Sequence, residues 1–325
     1  MSEPQIVTRA LERRFGKTRA VDGVDLVVAA GEVYGFLGPN GAGKSTLTRM
    51  LCTLLAPTAG SAYVAGKDVV TETTAVRLRI GAALQEAGLD DKQTGAELLR
   101  LQGRLYGLSR PDTERRLAEL SELIDLGDAL SRRVGTYSGG MKRRLDLALA
   151  LMHNPSVLFL DEPTTGLDPV SRRAVWDEVR RLNRELGMTI FLTTQYLEEA
   201  DELADRVGII SRGRIVAEGT PEALKRRIGT DVVVASIDGS LVPARRTLEA
   251  LEQVDRAVIS DDRIVASVAD GPTAISPVAL ALAAGGVTVK DLSLRRPTLD
   301  DVFFSATGQR ITTDESTRTP TTVEA

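Results

Sequence analysis

The chain has 325 residues, 42% hydrophobic and 26% charged, with 41 Lys and Arg against 45 Asp and Glu for a net charge of −4. That balance suits a globular protein of about two domains, and its acidity speaks against a bulk nucleic-acid binder, which carries a basic domain. Aromatic residues, at 4%, are too few for base-stacking platforms; Cys52 alone cannot form an internal disulfide; one Cys and one His, His153, exclude a Cys/His zinc site.

Residues 6–15 and 24–37 read as strands, broken at Gly31-Glu32, with Val33–Leu37 apolar enough for a buried strand. A glycine-rich segment at 38–43 leads into a helical pattern over Ser45–Leu55 that Pro57 closes. From about 94 to 152 the pattern is helical: Thr94-Gly95-Ala96-Glu97 has capping-box spacing, Ser109-Arg110-Pro111-Asp112 opens a second helix, and Ser138 can cap a third. Val157–Leu160, Thr189–Thr193 and Val207–Ile210 are short apolar runs, with a helix predicted over Pro169–Leu186, so the pattern returns to a mostly parallel sheet. Beyond Pro221, strands at 231–237, 256–259, 264–268 and 287–292 and helices near 243–252 and 276–284 give a β-α-β-β-α-β order. From about 308 the chain is Thr-rich and polar and reads as a disordered tail. No apolar run approaches the ~18–20 residues of a bilayer span, and the start, Met1-Ser2-Glu3-Pro4, has no signal-peptide character. The expectation is a chain that reaches a membrane only through a partner.

Two segments carry chemistry. Gly38-Pro39-Asn40-Gly41-Ala42-Gly43-Lys44-Ser45-Thr46 matches G-x-x-x-x-G-K-[ST] between a strand and a helix. Its glycines turn backbone N–H groups inward at a helix N-terminus, Lys44 reaches β- and γ-phosphates, and Ser45 ligates Mg²⁺. Val157–Leu160 then ends in Asp161-Glu162. A buried strand leaving beside the phosphate loop places Asp161 near that Mg²⁺ and Glu162 where a general base takes a proton from water.

With these two motifs in place, the chain resembles the ATP-binding subunits of ABC transporters over about residues 5–230. Tyr137-Ser138-Gly139-Gly140-Met141 resembles the LSGGQ signature, with methionine for the usual glutamine; Gln85 looks like the Q-loop glutamine, Asp168 in Thr165-Gly166-Leu167-Asp168 like the D-loop, and Phe15 like the aromatic that stacks on adenine. The resemblance implies an α/β P-loop NTPase of ABC type over 1–228, with a helical subdomain at about 86–153. A small α+β accessory domain at 229–307 and a tail at 308–325 complete the chain. It implies a homodimer with ATP and Mg²⁺ at the interface. There, Ser138, Gly139 and Gly140 of one copy would close on the γ-phosphate held by the other, with Asp168 at the interface and Gln85 contacting Mg²⁺ and relaying nucleotide state. One departure stands out: Gln195, in Thr193-Thr194-Gln195-Tyr196, occupies the family's switch-histidine position. An amide can donate a hydrogen bond but cannot carry a proton, so Glu162 is expected to act as base and Gln195 to position. His153, before Pro155, reads as a solvated or capping residue, and Lys225-Arg226-Arg227 as a solvated helix end.

Ala20-Val21-Asp22-Gly23-Val24, Thr194–Asp201 and Leu294–Phe303 resemble the daunorubicin-resistance branch of that family. The branch implies a peripheral ATPase on the cytoplasmic face of the cell membrane, powering a separate permease that exports antibiotics. Alternative members act on DNA or the ribosome. The first carry long coiled coils or zinc modules between the nucleotide motifs and the second two cassettes per chain; neither pattern is present.

Overall fold

The computed structural model describes residues 3–84, 88–260 and 263–307. They form two compact units that divide between Pro221 and Glu222, ahead of the 228/229 boundary read from sequence. In the first unit the elements are β1 (Ile6–Phe15), β2 (Thr18–Val28), β3 (Val33–Leu37), α1 (Lys44–Leu51), β4 (Ala59–Val64), β5 (Lys67–Asp68), α2 (Thr73–Arg77) and β6 (Ile80–Ala83). Then come α3 (Gly95–Leu105), α4 (Arg110–Leu123), two 3-10 turns at Gly127–Ser131 and Val134–Thr136, and α5 (Gly139–Leu151). The unit continues through β7 (Val157–Asp161), α6 (Pro169–Leu186), β8 (Thr189–Thr194), α7 (Leu197–Leu203), β9 (Arg206–Ser211) and β10 (Arg214–Gly219). No helix among the described residues is long and apolar enough to cross a membrane.

A six-stranded sheet of order β10-β9-β3-β8-β7-β6 forms the centre, parallel except for β10. Its inner strands β3, β7 and β8 are buried on both faces, as continuous apolar runs require. Alternate residues serve separate cores: Leu158 and Leu160 of β7 face the cluster built with α3, α5 and α6, while Val157 and Phe159 join the cluster beneath β1, β2, β4 and α1. In that second core the Phe191 ring meets Tyr34, Phe36 and Phe159 at centroid distances of 5.6–5.8 Å, within the range where aromatic pairs add to burial.

The capping signals operate as read. Thr94 and Glu97 form the capping box of α3, Ser109 accepts from Asp112 N–H at the start of α4, and Ser138 accepts from Met141 N–H at the start of α5. Helix α1 stops short of the expected Leu55 because Thr53 takes a left-handed conformation (φ 61°), which a helix cannot continue. Strands β4, β5, β6 and β10 had no reading from sequence; β4 (AGSAYV) and β10 (RIVAEG) are small or mixed in character. His153 is half-buried, not solvated: its ring stacks on Tyr106 at 3.7 Å and its Nε2 lies 2.9 Å from Ile80 O.

In α6, Glu178 is buried among Ala83, Leu147, Leu160, Val175 and Val179. Burial pushes its carboxyl up to about 7, with Arg181 and Arg144 only partly opposing. The folded state therefore holds this proton more tightly than the unfolded chain, so stability falls as pH rises from about 4.5 to about 7. Glu178→Gln is expected to raise stability by about 1–3 kcal/mol at pH 8 and to change little at pH 4.5. Urea denaturation at the two pH values checks this; equal effects at both would refute it.

The second unit contains α8 (Pro221–Ile228), β11 (Asp231–Asp238), α9 (Leu241–Glu249), β12 (Val254–Ser260), β13 (Arg263–Val268), α10 (Gly271–Ala284), β14 (Thr288–Arg295) and α11 (Leu299–Thr307). Its antiparallel sheet, ordered β12-β13-β11-β14, realises the split β-α-β-β-α-β plan, and α9 and α10 supply Ala244, Leu248, Ala274, Val278 and Leu282 to its core. Helix α11 opens with a reciprocal cap: Thr298 Oγ1 accepts from Asp301 N–H, and Asp301 Oδ2 accepts from Thr298 N–H. Leu299, Val302 and Phe303 are its buried face.

Candidate functional site

Parallel pairing assembles the site. Leu37 at the end of β3 pairs with Thr194 of β8, and Thr193 pairs with Asp161 at the end of β7. The loops that leave these three strands therefore start side by side along the carboxyl edge of the sheet, the usual ligand edge of open α/β folds. Gly38 N–H donates to Thr194 O at 3.2 Å and joins the glycine loop to the end of the strand that Gln195 follows.

Two glycines of this loop are required by crowding. A Cβ on Gly38 would lie 2.6 Å from Ile210 O, and one on Gly43 would lie 2.3 Å from Ala20 O. Gly43 also has φ 114° at the N-cap of α1, where no side chain caps the helix. The first-turn N–H groups and the positive end of the helix dipole thus face the loop Gly38-Pro39-Asn40-Gly41-Ala42-Gly43. Lys44 folds back over that loop: its Nζ donates to Gly38 O at 2.7 Å and Pro39 O at 3.2 Å. It also forms an ion pair with Glu162 Oε1 at 3.1 Å. Both side chains of this pair are buried.

Glu162 reaches Lys44 because its backbone is left-handed, with φ 49° directly after β7. Such strain in a non-glycine residue persists only where the surroundings enforce it. Here its N–H donates to Thr193 O at 3.0 Å and Thr193 Oγ1 at 3.1 Å, and Thr165 Oγ1 donates to Glu162 Oε2 at 3.4 Å. The Thr193 hydroxyl also donates to Asp161 Oδ1, which accepts from Ser45 Oγ at 3.3 Å. Thr193 thus braces both acids. This role leaves no trace in sequence, since a threonine at a strand end carries no spacing signal. The converging Ser45 hydroxyl and buried Asp161 carboxylate form the hard-oxygen pair that suits Mg²⁺, an ion that takes few protein ligands and completes its shell with water and phosphate.

A second unanticipated residue is Arg143 of α5. Its guanidinium donates to Pro163 O and Leu84 O, each at 3.1 Å, and to Ala83 O at 3.3 Å and Asp161 O at 3.4 Å, and it pairs with Asp146 at 3.1 Å. It joins α5 to the ends of β6 and β7. Burial lowers its pKa and pushes Asp146 up to about 6. In sequence it stands in the run Lys142-Arg143-Arg144, which matches no nucleotide motif.

The remaining residues named from sequence are placed as follows. Gln195 is buried beyond the end of β8, after the strand that pairs with the glycine-loop strand. Asp168 caps α6: its Oδ1 accepts from Val170 and Ser171 N–H at 3.0 Å and its Oδ2 from Ser171 Oγ at 2.5 Å. The Ser171 hydrogen bonds hold that carboxyl below its ordinary range. Ser138 caps α5, with Gly139 against Leu167 and Gly140 so close to Ser171 that a Cβ would sit 3.2 Å from its Oγ. The signature segment therefore packs on the same loop that Asp168 ends. The Ser138 hydroxyl, which accepts from Met141 N–H, keeps its own proton to donate. Phe15 closes the β1–β2 hairpin opposite Thr18, half-exposed, with the Arg13 guanidinium 4.7 Å from its ring centroid. Thr46 lies in the first turn of α1. Gln85 lies outside the described residues, as does the expected tail at 308–325.

The family model for ABC transporters matches residues 21–165, from β2 through both nucleotide motifs to the turn after Glu162. The chain is 49% identical to the daunorubicin resistance ATP-binding protein DrrA3 of Streptomyces coeruleorubidus over 310 residues, 95% of this chain and 97% of that protein. It is 47% identical to the daunorubicin/doxorubicin resistance ATP-binding protein DrrA of Streptomyces peucetius, covering 93% and 92% of the two chains. Among solved structures, the ADP conformation of MJ1267, an ATP-binding cassette of an ABC transporter, superposes with a TM-score of 0.62 at 26% identity, covering 68% of this chain and 93% of that one. The glycine loop closed by Lys44, the acid pair braced by Thr193 and near full-length identity to these relatives agree: the chain belongs to the ATP-binding subunits of ABC transporters, ATPases whose hydrolysis is coupled to transport.

Proposed function

We propose that this chain is the ATPase subunit of a drug exporter, bound at the cytoplasmic face of the cell membrane to a separate permease and working as a homodimer that closes on ATP. The observation that carries the reading is the buried Lys44–Glu162 pair set over the Gly38 and Pro39 carbonyls. A buried ammonium that a phosphate can recruit, beside a carboxylate that it would then release, suits a nucleotide cradle.

When ATP enters, its β- and γ-phosphates replace Glu162 and the loop carbonyls on Lys44 Nζ, while the N–H groups at the start of α1 hold phosphate oxygens. Glu162, released from its cation, takes the proton of the attacking water. Gln195 donates its amide N–H toward the γ-phosphate and orients it. Ser45 and Asp161 would hold Mg²⁺, with Gln85 as a further contact; the ion supplies neutralisation of the charge that develops on the phosphates. Across the dimer, Ser138, Gly139 and Gly140 of the partner copy add donors at a second helix N-terminus, Asp168 lies at the junction, and Phe15 stacks on the adenine.

The drug-exporter assignment is supported by the names of the relatives at 47–49% identity. It is tested by daunorubicin susceptibility of a host expressing this chain together with a candidate permease from the same genome. Resistance is expected from the pair, not from either alone and not with Lys44→Met. Unchanged susceptibility alongside an active purified ATPase would refute the substrate class. Failure of the chain to pellet with membranes containing its partner would refute the peripheral assignment.

A further inference from the structure

One buried acid is not used by the chemistry above. Glu199 of α7 is fully buried. Its Oε1 accepts two hydrogen bonds, from Thr164 Oγ1 at 2.9 Å and from Trp176 Nε1 at 3.0 Å. The three residues belong to three segments around the nucleotide. Glu199 stands one helical turn beyond Gln195. Thr164, also fully buried, sits in the turn between Glu162 and Asp168. Trp176 is on α6, the helix that Asp168 caps. A second strap joins two of these segments independently: the Arg172 guanidinium of α6 lies 4.5 Å from the ring centroid of Tyr196, the neighbour of Gln195.

Burying a carboxylic acid here is costly, and burial raises its pKa, while hydrogen bonds from threonine hydroxyls and the Trp176 indole pull the other way. An apolar side chain would fill the space without that cost. What it could not do is accept from a hydroxyl on one segment and an indole on another at once. A shared acceptor makes the segments move together, because separating either donor strands a buried polar group without a partner.

We propose that Glu199 is a positioning residue of the ATPase cycle: by holding the turn between Glu162 and Asp168 to the helix that follows Gln195, it makes the γ-phosphate contact of Gln195 and the settings of the base and of Asp168 change as one unit. This rests on the ATPase reading above. Glu199 acts through Thr164 and Trp176 and does not touch nucleotide.

The test uses the full-length protein with Glu199→Gln, Glu199→Met and Thr164→Val. Trp176 is the only tryptophan in the chain, so intrinsic emission reports on this junction without a label. Glu199→Met and Thr164→Val are expected to lower kcat at least about tenfold with KM for ATP within about threefold, the pattern of a lost transition-state arrangement. The parent is expected to change its Trp176 emission on adding Mg-ATP, and both variants are expected to abolish that change. Glu199→Gln, which keeps an acceptor oxygen, is expected to recover kcat to within about threefold. Where Glu199→Met fails to fold, Thr164→Val, which deletes one hydroxyl in a turn, decides the matter. Parent-like kcat in Thr164→Val overturns the proposal, and so does Glu199→Gln no better than Glu199→Met. Losses that track melting temperature and KM together would reduce Glu199 to a structural role and overturn it too. A parent protein that neither binds nor hydrolyses ATP is a different failure, that of the ATPase reading itself.

Discussion

Glu162→Gln is expected to reduce ATP turnover by about 10²–10⁴-fold, the range of a lost general base, while Mg-ATP affinity stays within about threefold. The amide is nearly isosteric, so the left-handed backbone at 162 and its bonds to Thr193 have no reason to move, and the exchange removes only proton acceptance and the charge facing Lys44. With that charge gone, Lys44 meets the phosphates without first leaving a counter-ion, so any change in affinity should favour binding. Gln195→Ala removes a positioning amide and is expected to cost about tenfold in kcat. Steady-state phosphate release with nucleotide titration separates the two; equal, near-total losses would contradict the division of roles. Saturated with Mg-ATP, the Glu162→Gln protein is expected to elute as a dimer in size-exclusion chromatography. A protein that stays monomeric would remove the two-copy closure from the proposed function.

Lys44→Met is expected to abolish measurable ATP binding and to destabilise the fold by about 3 kcal/mol, because it leaves the Glu162 carboxylate buried without its cation. The two effects have different origins and separate in a double variant. Lys44→Met with Glu162→Gln replaces the ion pair by neutral groups of similar size. It is expected to recover most of the stability, since a buried pair exchanged whole is close to neutral, and none of the ATP affinity. Urea denaturation of the four proteins gives the coupling energy of the pair, and calorimetric titration with Mg-ATP gives the binding. Additive stability losses would mean that the contact between Lys44 and Glu162 carries no energy in the folded protein.

Much of this site was readable because its chemistry is written in contiguous residues. A glycine loop before a helix, two acids after an apolar strand, and serine or threonine at helix starts are local arrangements whose backbone geometry follows from the residues themselves. The caps at Thr94, Ser109 and Ser138 formed accordingly, and the second unit took the strand and helix order that its apolar runs implied. Readings failed where local character is ambiguous. His153 looked like a surface residue because nothing near it in sequence announces the Tyr106 ring that covers it. Helix α1 was read too long because Leu54 and Leu55 extend its pattern past a left-handed Thr53. Arg143 drew no reading because the carbonyls that surround it, at residues 83, 84, 161 and 163, come from two other strand ends.

By itself the sequence determined the glycine loop, its Lys44 and Ser45, the acid pair and the family to which they belong, since each is a short-range pattern with a local physical cause. Only the tertiary structure decided that Lys44 rests on Glu162, that Thr193 braces both acids, and that Glu199 ties three segments together. Parallel strands bring their carboxyl ends to one edge however far apart they lie in the chain. Which side chains meet there depends on register and on a single left-handed residue, and neither leaves a periodicity to read.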